Sequence, residues 1–165
     1  MRHKKILITG IVIILLALIP NGYYIYKDLD FEQNFRGYLK QAADAGSVYV
    51  AEERLTKAID YLDSHNMTSG YTSIIYKTED ENVGYFYNNL IVCHVEIMRV
   101  MEASHFEQTN ELMKLRETLM DGEKLTIPPS LYLHPNNKLF FVLNTFFVII
   151  FFIGIFCIFQ SALKE

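Results

Sequence analysis

From Leu139 to Phe159 the chain reads LFFVLNTFFVIIFFIGIFCIF, 21 residues without a charge and with only Asn144 and Thr145 as polar side chains. As a helix rising ~1.5 Å per residue this run is roughly 30 Å long, the thickness of a bilayer's hydrocarbon core. A buried helix of a soluble protein can also be apolar all round, but eight phenylalanines in one helix suit lipid better. The run predicts a transmembrane helix over 139–160, followed by a short tail at 161–165.

Near the other end, Ile6 to Ile19 is almost unbroken aliphatic sequence behind the basic head MRHKK. Two readings compete. A cleavable signal peptide needs small residues in an A-x-A pattern, which 17–22 offers only poorly. An uncleaved anchor over 1–26 is preferred, because Tyr23, Tyr24, Ile25 and Tyr26 extend the run past Pro20 and supply an aromatic belt. Pro20 is expected to kink the helix as it leaves the bilayer. Arg2, Lys4 and Lys5 hold the head on the cytoplasmic side. Both termini are then cytoplasmic and the middle is extracytoplasmic, an arrangement that suits a bacterial inner membrane.

The middle decides against one class of partner. Between Asn21 and Lys138 there are 11 basic and 18 acidic residues, a net −7, whereas phosphate binding needs a basic face; nucleic acid is excluded as a partner. Apolar residues at 51% and charged ones at 21% describe a folding chain, not a disordered one. Cys93 and Cys157 form no disulfide framework, one lying in the polar middle and the other in the last span.

Periodicity divides the middle. Phe31, Phe35, Tyr38, Leu39 and Ala42 form one helical stripe, ended by Gly46. Val48, Ala51, Leu55, Ala58 and Leu62 form a second on strict three-four spacing, with Ser47 as N-cap and an end near 64–66. Gly70 and the β-branched and aromatic residues of 67–77 predict an extended connection. Thr78 and Glu81 read as a capping box opening a long pattern that carries Val83, Phe86, Tyr87, Leu90, Ile91, His94, Ile97, Met98 and Met101, then Leu112, Met113, Leu115, Leu119 and Met120. One helix over 79–121 would be roughly 65 Å long, too far for 123–138 to return. A second capping box, Ser104 to Glu107, marks where it breaks. The predicted fold is therefore an all-α membrane protein: two spans flanking an extracytoplasmic bundle of four short up-down helices over 27–122, with an extended Pro-containing connector at 123–138.

Neither catalysis nor metal binding is signalled. No G-x-S-x-G, Walker loop, H-E-x-x-H or glycine-rich fingerprint occurs. Cys93, His94 and Glu96 do not make a helical ligand set, since only Cys93 and Glu96 stand three apart, and His94 lies on an apolar stripe. No cofactor is expected. Asn66-Met67-Thr68 fits a glycosylation sequon, which matters only where secretion passes through an endoplasmic reticulum.

Two groups remain as interaction candidates. Tyr71, Tyr76, Tyr85, Phe86 and Tyr87 are dense for so short a stretch and serve either as packing for the loop or as a protein-binding surface. Asn144 and Thr145 are expensive to present to lipid and should face another helix, with Gly154 and Cys157 adding a notch of small residues. The expected function is that of a non-catalytic two-span accessory subunit, bound to the lipid bilayer and to a membrane protein partner or a second copy. The alternative is an extracytoplasmic ligand-sensing module that signals through a separate protein, since only six residues follow Phe159. A membrane-lytic protein is a weaker third reading, because the middle is long enough to fold.

Overall fold

The computed structural model describes residues 2–75 and 77–162. It is 75% helical, which places the chain in the all-α class. Helix α1 (Arg2–Phe31) passes through a π turn (Glu32–Arg36) into α2 (Gly37–Ala43); α3 (Val48–Ser64), α4 (Val83–Arg99), α5 (His105–Leu119) and α6 (Asn137–Ala162) follow. Two stretches are long and apolar enough to cross a membrane by length and composition, Ile8–Ala43 and Asn137–Gln160. The chain divides into two compact units, 28–137 and the pair formed by 1–27 with 138–165.

Helix α1 continues through Pro20 as one element to Phe31. Proline removes one hydrogen bond from the ladder, and the turn beyond it is held to α6 instead. Tyr23 stacks on Phe140 with centroids 5.4 Å apart, and the Tyr24 hydroxyl donates to the Phe140 carbonyl at 2.8 Å. The first helix of the 28–137 unit is thus no separate element but the continuation of α1.

The π turn has a local cause. Its wider winding sends the Gly37 N–H back to the Glu32 carbonyl, five residues earlier. A Cβ on residue 37 would stand 3.1 Å from that oxygen, so glycine suits the position. Arg36 fastens the outside of the turn, pairing with Asp28 at 2.9 Å and Glu32 at 3.0 Å.

Within the 28–137 unit, α3 packs against α2 and α4, and α5 against α2, α3 and α4. Spacings of three and four then meet in one core. Phe31, Phe35, Leu39 and Ala42 face Val48, Ala51, Leu55, Ala58 and Leu62 of α3 and Val83, Leu90 and Ile97 of α4, all essentially buried. Leu115 and Leu119 of α5 close it from another side, while Met98 and Met113, which fit the sequence pattern, are exposed. Phe35 meets Phe86 edge-on at 6.2 Å and Tyr61 at 6.1 Å.

Local caps account for most boundaries. Ser47 accepts from the Val50 N–H and starts α3. Ser104 and Glu107 form a complete capping box, and α4 and α5 are separate helices on either side of it. At Thr78 the structure differs from expectation. Residues Glu79–Glu81 form only a 3₁₀ turn, and α4 begins at Val83 beneath an Asn82 side chain that accepts from the Tyr85 N–H. Asn82 also bridges Tyr71, and the Val83 N–H donates to the Gly70 carbonyl, so pairing with the 67–75 segment postpones the helix.

The connector after α5 is not uniformly extended. Met120–Asp121 (β1) pairs antiparallel with Lys124–Leu125 (β2) around Gly122, whose φ of 62° is the left-handed conformation that glycine adopts without strain. Leu131–Leu133 forms a further 3₁₀ turn that buries Leu131.

Candidate functional site

A cleft of about 400 Å³ lies between α4, the end of α5 and the connector. Tyr85, Phe86, Asn89 and Leu90 supply one wall from consecutive turns of α4. Thr118 and Leu119 supply the second, and 124–129 the third. The third wall is tied down by the β1–β2 pairing and by the Thr126 N–H, which donates to the Leu119 carbonyl at 2.9 Å. Phe86, Leu90 and Leu119 are buried and form an apolar floor. Glu79, Asp80, Asp121 and Lys124 stand at the rim.

The aromatic group divides on folding. Phe86 is core, packed on Phe35, and also lines the cleft. Tyr85 lines the same cleft and is 50% exposed. Tyr87 turns toward α3, where a hydrogen bond with Asp63 raises its phenol above the ordinary value. Tyr71 lies on the 67–75 segment with the Lys77 ammonium 5.7 Å from its ring centroid. Tyr76 lies outside the described residues. Among the described members of the group, Tyr85 and Phe86 line the cleft; its connector wall came from sequence that reads merely as Pro-containing linker.

In the α1–α6 unit, Gly154 meets Gly10. A Cβ on residue 154 would lie 2.9 Å from the Ile14 side chain and 3.2 Å from the Gly10 carbonyl oxygen. The matching glycine in the first apolar run is a feature that sequence reasoning missed, although it is the one glycine between Ile6 and Leu16. Thr145 bonds back to the Phe141 carbonyl at 2.9 Å, the usual way a helical hydroxyl satisfies itself. Asn144 remains exposed and, with Ala17, Asn21 and Phe147, lines a depression of about 200 Å³.

Other reactive groups are occupied structurally. His94 Nε2 lies 3.0 Å from the Thr56 hydroxyl and 3.3 Å from Glu52, so both partners share one ring nitrogen and no hydroxyl–imidazole–carboxylate relay runs through it. Burial pushes the Cys93 thiol up, away from the reactive thiolate. Among the described residues no group of three His, Cys, Asp or Glu side chains could hold a metal ion. No family model matches the chain, and no curated protein or solved structure matches it either.

Proposed function

We propose that the chain is a non-catalytic two-span membrane protein, an accessory subunit whose apolar helices and extracytoplasmic helical bundle bind another membrane protein. The observation that carries this reading is Asn144, exposed beside Asn21 in a depression on the helix pair. In a bilayer an amide left facing hydrocarbon is costly, and a polar side chain from a neighbouring helix relieves that cost by a hydrogen bond. The basic head supports a topology with the head in the cytoplasm and the 28–137 unit outside. A partner helix seated at Asn144 would hold the complex together within the membrane.

The test is purification of the tagged full-length chain from its native membrane in mild detergent, with mass spectrometry of what accompanies it. A partner at fixed stoichiometry, lost on Asn144→Leu while Asn88→Leu retains it, supports the reading. Recovery of the chain alone overturns it.

A second reading, an extracytoplasmic ligand-sensing module, is favoured by the cleft. Its volume of about 400 Å³ and apolar floor suit a small molecule.

A further inference from the structure

We infer that the cleft between α4, α5 and the connector takes a small amphiphilic organic cation. The inference rests on the ligand-binding reading of the cleft and assigns the chemistry of its occupant. Volume sets the first limit: about 400 Å³ accommodates a molecule of small-ligand size, within the usual range of roughly 300–1,000 Å³ for such sites. The floor sets the second. Around the buried Phe86 and Leu119, the half-buried Leu125 and Ile127 and the exposed Pro129 leave apolar surface that gains by covering hydrocarbon or an aromatic ring.

Charge sets the third. Glu79, Asp80 and Asp121 face a single Lys124 at the rim, and among the described residues none of these four takes part in an ion pair. The surrounding unit 28–137 carries nine lysines and arginines against eighteen carboxylates, so its field repels anions from the opening and draws in cations. The half-exposed Tyr85 ring adds a face over which an ammonium group is attracted. The walls are also preformed, since β1 and β2 pin the connector against the end of α5. An ammonium at the carboxylate rim with its apolar part on the floor satisfies all three limits.

Three probes that differ only in their head group separate charge from shape: 4-phenylbutylamine, 4-phenylbutanol and 4-phenylbutyrate. Each is titrated by saturation-transfer NMR against the full-length chain in nanodiscs of neutral lipid, with empty nanodiscs subtracted. The amine is expected to bind about tenfold tighter than the alcohol at low ionic strength, with the gap closing in ~0.5 M salt, and the acid to bind weakest. The combined variant Glu79→Gln, Asp80→Asn, Asp121→Asn, on exposed positions, should bring amine and alcohol together without loss of helicity. Equal binding of amine and alcohol to the native chain overturns the cation assignment but leaves the cleft a ligand site. Absence of binding by all three overturns the ligand-binding reading itself. An unchanged preference in the triple variant places the cation elsewhere and overturns the site.

Discussion

Gly10 of α1 and Gly154 of α6 approach so closely that a Cβ built on either would stand 3.1 to 3.2 Å from the other's carbonyl oxygen. Glycine lets two apolar helices bring their backbones together, so that dispersion contacts accumulate along the crossing. Isoleucine side chains at 13, 14 and 158 complete the contact.

Gly154→Leu should therefore push the helices apart. Overpacking of this kind costs about 1–3 kcal/mol. The midpoint of SDS-induced unfolding from mixed micelles should fall, and Gly10→Leu should do the same. Because both substitutions break one contact, the double variant should lose less than the sum of the two. Additive losses would mean that the glycines do not face each other.

Tyr85 and Phe86 are neighbours with opposite roles. Phe86→Ala opens the core against Phe35 and should destabilise the chain by ~3–5 kcal/mol in denaturant unfolding. Tyr85→Ala, at an exposed position, should change stability by no more than about 0.5 kcal/mol. Equal effects would contradict the assignment of one to the core and the other to the cleft.

Asn82 and Thr78 test which residue starts α4. Asn82→Ala removes the acceptor for the Tyr85 N–H and should cost ~1 kcal/mol. Thr78→Ala loses only an exposed hydroxyl contact to Glu81, 3.0 Å long, and should cost a few tenths of that. Thermal melts followed by circular dichroism rank the two variants; the reverse order would restore Thr78 as the cap.

His134 gives the chain an acid sensitivity of definite sign. Burial lowers its pKa from 6.5, while Nε2 lies 2.9 Å from the Ser69 carbonyl oxygen. The unfolded chain then takes up a proton at higher pH than the folded chain does. The contribution to stability is complete above about pH 6.5 and is lost as the pH falls toward the lowered folded value. Melting temperature should drop between pH 7.5 and 5.5, and His134→Gln, which keeps a donor for Ser69, should show the smaller drop. Parallel curves for the two proteins would assign the sensitivity to other groups.

Legibility in the sequence tracked how local the cause was. Helix α3 could be read from end to end because its cap, Ser47, and its stripe from Val48 to Leu62 lie within one short segment. The break before α5 was legible for the same reason, the capping box at Ser104 being complete within four residues. The start of α4 was not, because Asn82 prevails over Thr78 only through its bridge to Tyr71 on the preceding segment. How far the helix runs past Pro20 was not legible, because the contacts beyond it come from Phe140, 116 residues beyond Tyr24. Nor could the aromatic group reveal that Tyr87 turns to Asp63 while Tyr85 turns to the cleft, since adjacent helical residues differ in direction and their neighbours are distant in sequence.

By itself the sequence determined the helical class, the two long apolar helices and the residues able to enter a core, since hydropathy and the 3.6-residue period act over one or two turns. Only the tertiary structure decided that Gly10 answers Gly154, that α1 runs through Pro20 into α2, and that a Pro-containing connector becomes the wall of a cleft. Those features arise where segments far apart in the chain are brought within van der Waals reach, and such contacts leave no periodic trace in either segment alone.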